Sequence, residues 1–320
     1  ISKKIMPINP LLSIIIVSYN TRELTLNCLK SIQKDKGLSF DLNKIDKSEK
    51  IPTEIIVVDN NSTDGTVKEL KTLNSNNLNT INLITNSLNS GFAKASNQGL
   101  KVARGNYLLL LNSDTLILHS AISQSLNWLS THPEAHLCTA QLLNQDLSIQ
   151  ASGGYFPNLL NTLAWSFGLD DLPLFNLLIK PFHPHPPHFY THEKFFLKDH
   201  PQDWVSGAFM LLRRSVLDLT GGFDENYFMY GEEVEWTYRM HLALPKSQCW
   251  YLVGPQIIHL GGASATDKSH PLLREYQGVV SFFKKHRPRW QLPILKFSLK
   301  LNAALRSLIN PTYKGLCSKI

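Results

Sequence analysis

Cysteine is scarce in this chain. Four occur in 320 residues, at positions 28, 138, 249 and 317, and no two form a C-x-x-C pair. That spacing argues against a disulfide framework and the usual zinc modules, and fits a reducing compartment. Also missing is any uninterrupted apolar run of the roughly 18–20 residues that a bilayer-spanning helix needs. The first residues, Ile1-Ser2-Lys3-Lys4, lack the apolar core and small-residue cleavage site of a secretory leader. Together these absences predict a cytoplasmic protein. Acidic residues are absent from Lys284 onward, where nine Lys and Arg stand alone. The whole chain carries a formal +7, so residues 1–283 sit near neutrality at −2. A domain-wide basic footprint is therefore lacking. This argues against nucleic acid as a partner and toward an anionic surface met by the C-terminus.

What is present suits a folded α/β protein, with 43% hydrophobic and 18% charged residues. The run Leu12 to Val17 has the β-branched density of a strand buried on both faces. Asn20, three residues before Glu23, reads as a capping pair for a helix carrying Leu24, Cys28 and Ile32. The charged stretch from Lys34 to Lys50 reads as a solvated loop. Further strands are expected over 54–59, 81–85 and 107–111, with helices carrying Val67 and Leu70 and spanning 92–103. This β-α-β-α order predicts a mainly parallel sheet with right-handed crossovers. No internal repeat is evident.

Ligands of open α/β sheets bind beyond the carboxyl ends of the strands. Here three strands end in Ser18-Tyr19-Asn20, Asp59-Asn60-Asn61-Ser62 and Asn112-Ser113-Asp114. Such groups can hold hydroxyls, phosphate or a metal, although each alone also suits an ordinary turn.

Taken in order, SIIIVSYN (13–20), VVDNNSTDGT (57–66), NSGFAKASNQGL (89–100), LLLLNSDT (108–115), DWVSGAFMLLRRSVLDLTGGFDENYFMYGEEVEWTYR (203–239) and IIHLGG (257–262) resemble the family 2 glycosyltransferases, in their rhamnosyltransferase-like branch. The resemblance covers about residues 12–265. It implies a GT-A fold, a Rossmann-like α/β sheet flanked by helices, over 1–265. The donor half would span about 12–115 and the acceptor half about 116–265, with a basic helical tail over 266–320. The implied reaction is inverting transfer from a nucleoside-diphosphate sugar to a glycan or polyprenyl-linked acceptor in cell-surface polysaccharide synthesis. Rhamnose, from dTDP-rhamnose, is the leading donor.

The chemistry asks for matching residue types. A departing diphosphate needs its growing charge neutralised, usually by a divalent cation such as Mg²⁺ or Mn²⁺. By resemblance, Asp114 holds that metal, and His259 is a ligand of the metal or of the diphosphate. Asn112 and Ser113 line the donor site, with Asn112 standing where the family pattern has an aspartate. Ser18, Tyr19, Asp59, Asp64 and Lys94 are assigned to the nucleotide, and Asn97 to holding loop backbone. Inversion requires a base for the acceptor hydroxyl. The family's acidic pair corresponds to Glu232-Glu233, with Glu233 expected as base and Glu232 as acceptor ligand. Trp204 and Gly207 complete the acceptor side. Aspartate is usual where Glu233 stands. With Asn112, this departure keeps a rival open: a catalytically inactive nucleotide-sugar-binding or scaffold protein.

Three segments remain. Residues 155–182 are unusually apolar and fit core, a homodimer surface or a lipid-facing acceptor lip. His183, His185, His188 and His192 lie among prolines and read as a stiff loop rather than a zinc site. In the tail, Ile294, Phe297, Leu301, Leu305 and Leu308 share one helical face, with Lys296, Lys300 and Arg306 toward the other. That pattern fits either peripheral contact with an anionic membrane or packing on the domain.

Overall fold

The computed structural model describes residues 9–42, 50–75, 81–171, 178–184, 195–261, 269–313 and 315–320. Strands β1 (Leu12–Ser18), β3 (Ile51–Asp59) and β5 (Tyr107–Asn112) form the expected parallel centre, with β1 between the other two. Strand β4 (Ile81–Thr85) extends this block in parallel on β3. Three helices cover it: α1 (Arg22–Gln33), α2 (Thr66–Ser75) and α3 (Phe92–Val102). Alternation along β1 explains why both faces are buried. Ile14 and Ile16 pack with Cys28 and Ile32 of α1, whereas Ile15 packs with Val58 and Ala95 on the other side.

The second half adds β6 (Thr115–Ile117), β7 (Ala135–Leu143), β8 (His200–Gln202), β9 (Phe209–Arg213) and β10 (Gln248–His259) to the same sheet. Strand β9 runs antiparallel between β5 and β7, and so joins the two halves. Its helices are α4 (Ala121–Thr131), α5 (Leu159–Phe167), α6 (Arg214–Thr220), α7 (Glu232–Ala243), α8 (Ser269–His286) and α9 (Gln291–Ser307). The result is the mainly parallel, helix-flanked GT-A-like sheet that was expected.

Two local expectations are corrected. Asn20 does not cap α1. It takes the left-handed conformation (φ 52°), and its side chain accepts from the Thr63 amide at 2.8 Å, tying the β1 loop to the β3 loop. Residues 34–50 are not simply a solvated loop. Asp35 is buried and accepts from Ser123 Oγ at 2.7 Å, and β2 (Leu38–Ser39) pairs with the start of β3. Residues 43–49 lie outside the described part, as do His185, His188, His192, Gly262 and the expected boundary at 265.

A third apolar cluster lies beside the second half of the sheet. Phe156, Phe182, Trp204 and Val234 pack there with Phe282 and Phe283 of α8 and with Leu295 and Leu299 of α9. The apolar stretch 155–182 is thus partly core, while Leu160, Phe167, Leu169 and Leu178 remain exposed. No helix among the described residues is long and apolar enough to cross a membrane.

Candidate active site

The carboxyl ends of β1, β3 and β5 open on one cleft of about 240 Å³, which β10, the 206–208 turn and the start of α7 close on the other side. Tyr19, Asn112, Ser113, Asp114, Gly207, Glu232, Glu233 and His259 all line it. Other expected residues stand apart from this lining. Ser18 is buried beneath it, bonded to Thr25 Oγ1 at 2.9 Å. Asp64 accepts from the Arg22 amide at 2.8 Å and from Thr66 Oγ1 at 2.5 Å, anchoring the starts of α1 and α2. Lys94 is exposed on α3. Trp204 lines a neighbouring cavity. Asn97 holds loop backbone as expected, donating to Phe223 O at 2.9 Å and accepting from the Phe223 amide at 2.9 Å.

Asp59 ends β3 almost fully buried and, like Ser18, lies outside the cleft lining, beside its lining neighbour Asn60. One carboxylate oxygen accepts from the Ser62 amide at 2.9 Å, while Oδ1 is buried without a partner in the protein. An orphaned anionic oxygen at a strand end is costly unless a ligand donor meets it. Next to it, Asn60 ties the β3 loop to the 86–90 segment. Its amide donates to Asn89 Oδ1 at 2.8 Å and its carbonyl accepts from Asn86 and Ser90.

On the β5 side, Asp114 Oδ1 and His259 Nε2 stand 3.4 Å apart. His259 Nδ1 is 2.6 Å from Gln150 Oε1, whose own amide nitrogen points to Asn144 Oδ1. An amide oxygen only accepts, so Nδ1 donates to it, and this bond turns the other ring nitrogen, Nε2, toward Asp114. Asn112 Nδ2 lies 3.3 Å from the same nitrogen. One carboxylate, one oriented imidazole and one neutral amide form a sparse set; among the described residues no cluster of three His, Cys, Asp or Glu could hold a metal alone. Such a set fits a hard cation that completes its coordination with phosphate oxygens.

The acidic pair begins α7. Before it, Tyr230 (φ 70°) and Gly231 (φ 93°) are both left-handed, a turn that aims the helix start into the cleft. This turn is gripped from two sides by close backbone approaches. The Phe92 amide donates to Phe228 O at 2.7 Å beside Gly91, where a Cβ would lie 2.5 Å from that oxygen. On α8, a Cβ at Gly278 would lie 2.5 Å from Tyr230 O. Glu232 is buried and its Oε2 has no partner. Burial, then the neighbouring Glu233, pushes its carboxyl well above the ordinary range. Burial also raises Glu233, although its Oε2 accepts from the Gly231 amide at 3.1 Å.

Behind Glu233 lies a smaller cavity of about 90 Å³. Phe182, Trp204, Val279 and Phe282 make its apolar walls, and His183 and Glu275 stand there with Nε2 and Oε1 3.2 Å apart. Sequence reasoning missed Asn60, Tyr230, Gln150 and the His183–Glu275 pair. Asn60 and Tyr230 sit inside quoted motifs and were within reach. Gln150 and Glu275 are placed only by tertiary packing.

Sheet order and a cleft at the strand ends, lined by both an Asp–His pair and an acidic helix start, fit a GT-A-type architecture. The model of the family described as "Glycosyl transferase family 2" matches residues 13–220, and the chain belongs to that family. It is 25% identical over 270 residues to N-acetylglucosaminyl-diphospho-decaprenol L-rhamnosyltransferase from Mycobacterium tuberculosis, covering 80% of this chain and 82% of that one. A shorter match, 46% over 41 residues and 13% of this chain, is to rhamnosyltransferase WbbL of Escherichia coli. Among solved structures, the mannosyltransferase PcManGT from Pyrobaculum calidifontis, in complex with GDP-Man and Mn²⁺, aligns with a TM-score of 0.54 at 16% identity, covering 98% of this chain and 81% of that one. GalNAc-T7 with UDP, GalNAc and Mn²⁺ aligns at 0.58 and 14%, covering 86% and 48%. At these identities the two structures speak for the fold.

Proposed function

We propose that this chain is a metal-dependent inverting glycosyltransferase. It would move rhamnose, from a deoxythymidine diphosphate donor, to a lipid-linked acceptor sugar in cell-surface polysaccharide synthesis. The observation that carries the reading is that Asp114, His259, Glu232 and Glu233 all line one cleft at the strand ends. Asp59, with its free oxygen, receives donor hydroxyl or base N–H groups, and Tyr19 borders the nucleotide. Asp114 and His259, with the Asn112 amide turned to present its oxygen, would hold Mg²⁺ or Mn²⁺; such a cation supplies Lewis-acid stabilisation of the departing diphosphate. Glu233 takes the proton of the acceptor hydroxyl as that oxygen bonds to the anomeric carbon. The carbon–oxygen bond to the diphosphate breaks on the opposite face, and its electron pair leaves with the diphosphate. Glu232 orients the acceptor, whose apolar or acyl parts fit the small cavity beside Trp204.

The test is release of nucleoside diphosphate from a panel of nucleotide sugars, with and without lipid-linked N-acetylglucosamine. Acceptor-dependent turnover is expected with the rhamnose donor and a divalent cation, and Asp114→Ala should abolish it. Nucleotide binding without turnover on any pair would favour the scaffold reading that Asn112 and Glu233 keep open. Full activity of Asp114→Ala with a chelator present would contradict the metal role.

A further inference from the structure

Helix α9 has two apolar faces. The inner one, Leu295, Leu299 and Ala303, is fully buried against α5 and α8. Polar contacts fix the helix's rotation: Ser298 Oγ lies 3.0 Å from Ser166 Oγ, Asn302 donates to the Ser166 carbonyl, and Tyr276 OH donates to Asn302 Oδ1 at 2.8 Å. The stripe legible in the sequence is therefore the outer one. Trp290, Ile294, Phe297, Leu301, Leu305 and Leu308 follow one another by three or four residues and all are exposed, Phe297 at 69% and Leu308 at 81%. Ile309 continues the patch. Soluble surfaces rarely present so many large apolar side chains in a row unless something covers them.

The flank names the occupant. Lys296 and Lys300, four residues apart on α9, lie along one edge of the stripe, and Arg289 sits in the turn just before the helix; all three are accessible, and no acidic residue occurs from Lys284 onward. We infer that the outer face of α9 docks on an anionic phospholipid surface, with the apolar stripe at the acyl boundary and the basic edge among the headgroups. Trp290, amphipathic and 62% exposed, stands at the entry end of the stripe, where an indole favours the interface. A second copy of this chain fits less well, because pairing the stripes would bring two acid-free basic edges together. This inference goes beyond the catalytic reading and does not depend on it, because membrane docking needs no turnover.

The experiment is co-flotation of the whole chain with vesicles of phosphatidylglycerol and phosphatidylcholine, compared with phosphatidylcholine alone. Binding is expected to prefer the anionic vesicles and to weaken with salt. The triple variant Phe297→Ser, Leu301→Ser, Leu305→Ser should lose about tenfold or more in binding with its thermal melt unchanged, since those side chains are already exposed. Lys296→Glu with Lys300→Glu should remove the preference for phosphatidylglycerol. Failure of the unaltered chain to float with anionic vesicles would overturn the inference, as would equal binding by the triple variant. A concentration-dependent dimer that the triple variant dissolves, with no vesicle binding, would also overturn it and assign the stripe to a second copy.

Discussion

Glu232 and Glu233 illustrate how much a single pair of carboxyl groups can cost a fold. Helix starts favour negative charge, yet Glu232 is buried with an unpartnered oxygen and a second carboxyl beside it. Its raised pKa means that ionising it opposes folding. The wild type therefore loses stability as pH rises from the ordinary glutamate value of about 4.3 through the raised one. Glu232→Gln removes that cost. The variant should be more stable at neutral pH by on the order of 1 kcal/mol, and the advantage should vanish in acid, as followed by urea unfolding across pH. Its acceptor KM should rise, because an amide replaces a carboxylate that would bind a hydroxyl. A stability gain bought with weaker acceptor binding is the signature expected of a site residue. Burial also raises Glu233, so if it is the base proposed here, the acid limb of the pH–turnover profile should lie above the ordinary carboxylate range.

Three residues later on α7, Glu235 has the opposite environment. It is fully buried, yet Arg239 Nε lies 2.9 Å and His286 Nε2 3.0 Å away, and Lys285 also pairs with it. Burial would raise its carboxyl; these donors, Lys285 foremost, more than reverse that and hold it below the ordinary value. The cluster ties α7 to the end of α8, and Arg239 also reaches Gly222 O at 2.5 Å, fixing the loop before the acidic turn. Replacing Glu235 by Leu should cost about 3 kcal/mol, the low end for a broken buried pair because Lys285 can return to water. The wild-type contribution is present above the unfolded glutamate value and lost as pH falls through the lowered one, so the gap between variant and wild type should close in acid. Legibility in the sequence varies at this scale. Runs such as Ile14–Val17 announce β1 because buried parallel strands need β-branched density on both faces. Asn20 misleads because the same side chain that caps helices also tolerates left-handed turns. Strand β9, four apolar residues ending in Arg213, carries no period that would reveal its antiparallel place between β5 and β7.

Over the whole molecule, the site arises from where the sheet's two halves meet. The β1, β3 and β5 ends supply one wall of the cleft, and β9 brings the 206–208 turn against them. The long β10 carries His259 back to Asp114, and α8 braces the Tyr230 turn. The motifs name most of these residues, since each lies at a strand end or helix start that local pattern marks. Contacts that orient them, Gln150 on His259 and Gly278 on Tyr230, come from segments far away in the chain and leave no local trace. For the tail, the sequence reveals the outer stripe of α9 but not the inner one, because Leu295 and Leu299 blur into a broad apolar pattern that only packing resolves.

The central claim is that Glu233 is the base in this cleft. It is tested most directly by turnover of Glu233→Gln at saturating donor and acceptor, with donor affinity measured separately by calorimetry. The glutamine keeps the size of the side chain but cannot take the acceptor's proton. Turnover should fall by about 10²-fold or more while donor affinity and thermal melt stay near wild type. Wild-type turnover in Glu233→Gln would place the base elsewhere and contradict the account.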